Sequence, residues 1–179
     1  MGCQADQSFL LMPPLDPPDS FHLAAAVGWL ELGNHVEAAH ELGKISAALL
    51  EHPDVLEVQW AICAAGKDWE GGLRAADLLL AKAPDCASAW LHRAYALRRV
   101  KTGGLRQAWQ ALRPAFEKFP KEAIIPYNLG CYSAQLGDLE EAWAWLQKAV
   151  TAAGEAKSIK QMALADADLE PLWARIGQL

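Results

Sequence analysis

Several residues of the chain could in principle carry out catalysis or bind a metal ion, but none of the spacings that such chemistry requires occurs. His40 and Glu41 begin like the H-E-x-x-H motif of zinc metalloproteases, yet Lys44 stands where the second histidine must be. The four cysteines share no C-x-x-C spacing, and the sequence has no phosphate-binding loop, dinucleotide fingerprint or nucleophile elbow. We therefore expect no enzymatic activity, no bound metal and no cofactor.

Charge is distributed unevenly along the chain. Residues 1–70 carry 11 acidic and 2 basic side chains, residues 93–121 carry 8 basic and 1 acidic, and the whole chain has a net charge of −6. The basic segment could attract an acidic partner or join copies of the chain head to tail. Alternatively, Arg98 and Arg99 only complement the dipole at the end of a helix. Because the chain as a whole is acidic, nucleic-acid binding is not expected.

The composition predicts an all-α protein. The chain contains 34 Ala and 26 Leu but only 6 Val, 6 Ile and 2 Thr, and unbranched residues favour helices whereas β-branched residues favour strands. No apolar run reaches the roughly 18 residues of a membrane-spanning helix, and the N-terminus lacks the pattern of a signal peptide. We therefore expect a cytoplasmic protein that does not associate with membranes.

A repeating pattern divides the chain. Landmark residues recur at Ala26, Trp60, Ala94 and Gly130, with steps of 34, 34 and 36 residues, and polar or glycine-containing breaks fall at 33–34, 67–68, 101–104 and 137–138. These features predict four helix–turn–helix repeats at about residues 20–52, 53–84, 85–120 and 121–154. A proline-rich extended arm, residues 1–19, precedes them. A capping segment, residues 155–179, follows them, and within it we expect a polar turn and then one final helix capped by Asp168 and ending near Gln178.

The pattern resembles the tetratricopeptide repeat family over residues 20–154. The opening W-x-x-L-G-x-x-Y of the family is approached around Ala94 and Gly130, and its second-helix A-x-x-x-F is matched in type by three pairs: Ala38 with Leu42, Ala108 with Leu112, and Ala142 with Leu146. This resemblance implies a right-handed α-solenoid of helical hairpins with a C-terminal capping helix.

The resemblance also implies a concave groove, lined by the first helix of each repeat, that binds a peptide or protein segment. Helical spacing places nine residues on this face in the third and fourth repeats: Leu91, His92, Tyr95, Arg98, Arg99, Tyr127, Asn128, Cys131 and Gln135. The amide of Asn128 could bond a peptide backbone, the tyrosine rings could cover apolar side chains, and Arg99 could meet a carboxylate. The alternative is that Tyr95 and Tyr127 contact neighbouring helices, the arm or the tail.

These features favour a non-enzymatic protein–protein interaction scaffold whose partner has acidic or apolar character. Two alternatives remain open. The chain could be a small chaperone of the secretion type that holds an apolar client segment. It could also be a self-assembling adaptor, a homo-oligomer in which the arm or the acidic first repeat docks on the basic third repeat.

Overall fold

The structure is a computed structural model, and it describes residues 14–178. All regular secondary structure in this range is helical, which confirms the all-α prediction. The α-helices are α1 (Asp19–Glu31), α2 (His35–Leu42), α3 (Pro53–Ala65), α4 (Trp69–Lys82), α5 (Ala87–Leu97), α6 (Leu105–Lys118), α7 (Ile124–Gln135), α8 (Leu139–Ala153), α9 (Ala156–Leu164) and α10 (Trp173–Ile176). Short 3-10 helices follow α2, at Ala47–Leu49, and α9, at Ala167–Leu172. Most of the predicted arm, residues 1–13, lies outside the described residues.

The helices α1–α2, α3–α4 and α7–α8 are joined by tight turns of similar construction. In each turn one residue has a positive φ, namely Gly33 at 76°, Lys67 at 58° and Gly137 at 88°. The next residue, Asn34, Asp68 or Asp138, caps the following helix by accepting a hydrogen bond from a backbone N–H of its first turn. These turns coincide with three of the predicted breaks.

The chain divides after Val100 into two compact units, so the boundary falls between the two helices of the predicted third repeat. In unit 1, which holds α1 to α5, a core cluster contains Ala26, Leu42, Ile45, Val55 and Val58. A second cluster contains Leu56, Leu79, Ala83, Cys86 and Ala89. Each cluster draws side chains from successive hairpins, as the stacking of repeats requires.

Unit 2, which holds α6 to α10, is organised around aromatic contacts. Trp145 is 4% exposed and packs edge-on against Phe116 and Trp109, with ring centroids 5.1 and 6.5 Å away. The indole of Trp109 donates a hydrogen bond of 3.1 Å to the hydroxyl of Ser133, which in turn donates to Glu141 at 2.8 Å. This chain of hydrogen bonds satisfies the fully buried Ser133 and joins α6, α7 and α8.

The C-terminal region differs from the prediction of one helix beginning after Asp168. The polar stretch after Gly154 forms α9 because Ile159 and Ala163 are buried, and the cap of the next element is Asp166, which accepts the N–H of Asp168. We call residues 166–176 the C-terminal segment. Pro171 lies inside its 3-10 helix, where the missing N–H prevents a regular α-helix.

Within residues 14–178, no helix is both long and apolar enough to span a lipid bilayer.

Candidate protein-binding surface

The predicted groove residues of unit 1 lie on α5 and just after its end. Tyr95 is 37% exposed, and Leu91, His92, Arg98 and Arg99 are partly exposed. Arg98 caps the end of α5, so Arg98 and Arg99 stand beyond the last turn of the helix. All five side chains therefore have surface that a partner can reach.

Tyr95 belongs to a group of side chains that we call the aromatic cluster. It consists of the rings of Trp60, Trp69, His92 and Tyr95 and the guanidinium group of Arg99. The rings of Trp60 and His92 stack with centroids 3.7 Å apart and an interplanar angle of 13°. Tyr95 meets Trp60 edge-on at 6.0 Å and lies tilted against Trp69 at 5.8 Å. Arg99 Cζ lies 3.5 Å from the Tyr95 centroid and 5.0 Å from the Trp69 ring, within the range of cation–π attraction. The cluster thus joins α3, α4 and α5.

A carboxylate fixes one edge of the aromatic cluster. His92 Nε2 donates a hydrogen bond of 2.6 Å to Glu57 Oε2, and the Ser88 hydroxyl donates to Glu57 Oε1. Burial opposes ionisation of Glu57, but the hydrogen bonds from His92 and Ser88 outweigh it and lower the pKa of this carboxyl. Glu57 is therefore ionised near neutral pH and orients the His92 ring against Trp60.

The predicted groove residues of unit 2 lie on α7, and three of them contact the C-terminal segment. Tyr127 and Cys131 are 5% and 3% exposed, and both donate to Asp166 Oδ2, at 2.9 and 3.4 Å. Gln135 donates to the backbone carbonyl of Asp168 at 3.3 Å. Burial and the neighbouring Cys131 and Asp166 raise the pKa of the Tyr127 hydroxyl, so it remains a proton donor.

Asn128, the fourth α7 residue, is partly exposed. Its side-chain amide donates to the carbonyl of Ile124 at 2.9 Å, one turn earlier in the same helix. The α7 set is engaged by hydrogen bonds within the chain, whereas on the α5 side Tyr95 and Arg99 are held by ring contacts and remain partly exposed.

Sequence reasoning did not identify several residues that complete these surfaces. The repeat pattern identified Trp60 only as a landmark residue, although its three-residue spacing from Glu57 places both on the same side of α3. No sequence pattern indicates the contacts of Ser88 and Trp69, because the residues that they touch lie on other helices. Asp166 was also missed, and the pattern Asp-x-Asp ahead of Leu169 is the only local indication of its capping role.

No group of three or more His, Cys, Asp or Glu side chains within residues 14–178 is arranged so that it could hold a metal ion. Rings, a guanidinium group and a histidine-bound carboxylate are groups that recognise a polypeptide by stacking, cation–π attraction and hydrogen bonding.

The fold of helical hairpins is similar to the fold of tetratricopeptide repeat proteins. The structure is similar to MamA, residues 41 to the end, from Desulfovibrio magneticus RS-1, with a TM-score of 0.68, 19% identity and coverage of 93% of this chain and 97% of that chain. It is also similar to the MamA RS-1 ArsTM double mutant, with a TM-score of 0.67, 20% identity and coverage of 92% and 93%.

A third similar structure is TTC0263, a thermophilic TPR protein of Thermus thermophilus, with a TM-score of 0.63, 20% identity and coverage of 89% of this chain and 99% of that chain. No family model and no curated protein sequence matches the chain. The predicted resemblance to tetratricopeptide repeat proteins is therefore confirmed at the level of the fold.

Proposed function

We propose that the chain is a non-enzymatic scaffold of the cytoplasm that binds a segment of a protein partner in the groove of a tetratricopeptide solenoid. The observation that carries this proposal is the aromatic cluster, in which Tyr95 and Arg99 are partly exposed and are held in place by rings from two other helices. Side chains fixed in this way lose little conformational entropy when a partner binds, and Tyr, Trp and Arg are the residues that most often dominate binding energy.

The chemistry of the cluster favours a partner segment that is acidic or apolar. The Arg99 guanidinium group can donate hydrogen bonds to a carboxylate, and the Tyr95 ring can cover an apolar side chain. The α7 residues Tyr127, Cys131 and Gln135 form a candidate surface of unit 2, and a partner that uses them must first displace the C-terminal segment. The Asn128 amide donates to the carbonyl of Ile124 in its own helix, so a partner that contacts Asn128 does not need that displacement.

The test is affinity capture from the source cell followed by mass spectrometry, with the Tyr95→Ala/Arg99→Ala variant compared with the unaltered chain. Loss of two central contact residues is expected to weaken a partner roughly 30-fold or more, so that it disappears from the captured proteins. The matched control is Arg113→Ala in unit 2, because Arg113 also lies over a ring, Trp145, and pairs with a glutamate of its own helix.

The proposal requires that the control retains the partner and that all variants keep the helical circular dichroism signal of the unaltered chain. If the Tyr95→Ala/Arg99→Ala variant captures the partner as well as the unaltered chain does, the aromatic cluster is not part of the binding site. An additional Asn128→Ala variant reports separately on the contribution of α7.

A chaperone that holds an apolar client is the second candidate, because large apolar side chains are exposed in the first hairpin. Phe21, Leu32 and Val36 are 67%, 76% and 65% exposed. A client that is insoluble alone and becomes soluble on co-expression would support this role, and Leu32→Asp/Val36→Asp is expected to abolish the rescue.

Self-assembly through the basic segment is a third arrangement, and light scattering at low and high salt tests it. An oligomer that dissociates as salt rises would support it, whereas a monomer at both salt concentrations would exclude it at the protein concentration used.

A further inference from the structure

One side of α1 is apolar and exposed. It carries Phe21, Ala24, Val27, Gly28 and, at the C-cap, Leu32, which together cover an arc of about 140° around the helix axis. Phe21 and Leu32 are 67% and 76% exposed, and Val27 is 39% exposed. We call these residues the α1 face. Exposed apolar side chains gathered in one patch are a mark of an interaction site.

The register of the repeats shows what kind of surface the α1 face is. The steps of 34, 34 and 36 residues align Phe21 with three other positions, namely Val55, Ala89 and Ile125. Each of these three side chains is at most 1% exposed. Val55 and Ala89 are buried in core clusters to which the preceding hairpin contributes. The α1 face is therefore the surface with which a hairpin packs on the hairpin before it, and here it is open.

The α1 face is complementary in shape to itself. A Cβ added at Gly28 would meet nothing within 4 Å, so the helix surface is open there. Gly28 lies two turns after Phe21 on the same side of the helix, a distance of about 10 Å along the axis. If two α1 helices lie antiparallel about a two-fold axis between Ala24 and Ala25, the Phe21 ring of each copy lies over Gly28 of the other. A large side chain then fills the space that a small one leaves.

The other end of the chain is covered, which disfavours a head-to-tail arrangement of copies. The helix α9 packs on α8 with Ile159 and Ala163 buried, and the C-terminal segment buries Leu169 and Leu172. The α1 face of a second copy could reach the last hairpin only after displacing these elements. A two-fold contact of α1 with α1 needs no such displacement.

We propose that the α1 face is a homodimer interface, in which α1 of one copy packs antiparallel on α1 of a second copy. The face offers a few hundred Å² per copy, below the roughly 800 Å² per partner of a standard interface. The dimer is therefore transient, with an expected dissociation constant of about 10–100 μM. It uses none of the residues of the aromatic cluster, so its failure would leave the proposed partner-binding surface standing.

The test is sedimentation velocity of the full chain from about 1 to about 500 μM, at low and at high salt. An apolar contact persists at high salt, which separates this dimer from self-assembly through the basic segment. Phe21→Asp removes the ring and is expected to weaken the dimer roughly 30-fold or more. Because it places a carboxylate in the first turn of α1, it favours the helix itself. Leu78→Asp, at a 41% exposed position within α4, is the matched control and is expected to leave the dissociation constant unchanged.

Gly28→Phe distinguishes a fitted interface from general apolar adhesion. The new side chain has room in the monomer and adds apolar surface, so general adhesion would increase. In the antiparallel pair it would occupy the place of the Phe21 ring, and the dimer is expected to weaken roughly tenfold or more. The exchanged variant Phe21→Ala/Gly28→Phe restores the pairing of large with small and is expected to regain most of the affinity.

A monomer over the whole concentration range would overturn the proposal, since the cover of the α1 face would then come from the chain itself or from another protein. A dimer that Phe21→Asp leaves unchanged, or that Gly28→Phe strengthens, would also overturn it. An exchanged variant no tighter than Gly28→Phe would overturn the antiparallel pairing. All variants must keep the helical circular dichroism signal of the unaltered chain.

Discussion

Tyr127→Phe tests how firmly the C-terminal segment is attached to α7. The substitution removes only the hydroxyl that donates to Asp166 Oδ2 at 2.9 Å. The Cys131 thiol, a weak donor at 3.4 Å, then remains on that oxygen, while the Asp168 N–H continues to bond Oδ1 at 3.0 Å. The shape of the ring is conserved, so the packing of α7 is expected to remain as it is.

The size of the effect follows from the charge and exposure of the acceptor. A hydrogen bond to a charged group contributes about 1.5–3 kcal/mol, and Asp166 is partly exposed, so that water replaces some of the loss. We expect a decrease of about 1.5 kcal/mol in the free energy of unfolding, which corresponds to about 3–6 °C in Tm for a chain of this size. If the segment opens locally, its amide exchange rises about tenfold.

The assay is urea unfolding together with hydrogen exchange of peptides that cover residues 166–176. Tyr95→Phe, at a 37% exposed position, is the matched control and is expected to change stability by less than about 0.5 kcal/mol. A double-mutant cycle with Asp166→Ala, which removes the acceptor, isolates the contact and should give a coupling energy of about 1 kcal/mol. A coupling energy near zero would refute the assignment of this bond as an anchor of the C-terminal segment.

Two further predictions concern close packing and pH. Gly72→Ala is expected to raise the free energy of unfolding, measured with urea, by about 0.5–1 kcal/mol. The added Cβ meets its nearest neighbours at 3.6 Å or more, and alanine favours the helix. Gly130→Ala should give no gain, because its Cβ would lie 3.2 Å from the backbone oxygen of Ala142. The lowered pKa of Glu57 contributes stability above the ordinary pKa of 4.5, and this contribution is lost as the pH falls below that value through the folded-state pKa. Glu57→Gln should therefore show a shallower loss of stability than the unaltered chain as the pH falls below 4.5, and identical slopes would contradict the contact with His92.

The hairpin turns could be predicted from the sequence because their determinants are local. A residue of positive φ followed by Asn or Asp ends one helix and caps the next within four residues, and Asn34, Asp68 and Asp138 follow this rule. Lys67 shows that the rule tolerates a residue other than glycine at the positive-φ position. The turns and the landmark residues predicted the helical repeats, and the resemblance to the tetratricopeptide repeat family implied the fold.

The C-terminal region was predicted less well because its structure depends on tertiary contacts. The stretch around Lys157 and Lys160 is polar enough to indicate a turn, but Ile159 and Ala163 are buried and the stretch is helical. Asp166 caps the next element while it also accepts hydrogen bonds from Tyr127 and Cys131, which are more than 30 residues away. Pairing at that distance has no signature in a single sequence.

The distinction between local determinants and tertiary contacts also explains which features of the candidate site could be predicted. Helical spacing placed Tyr95 and Tyr127 on the same predicted face of two repeats, but it could not show that one is 37% exposed and the other 5%. The difference arises because the C-terminal segment lies against α7, whereas α5 carries the aromatic cluster with its rings partly open. Of the proposed binding residues, Tyr95 therefore needs no rearrangement to meet a partner, whereas Tyr127, Cys131 and Gln135 do. Since displacing the C-terminal segment costs the free energy of its anchoring contacts, a partner of ordinary affinity is expected to bind the aromatic cluster first.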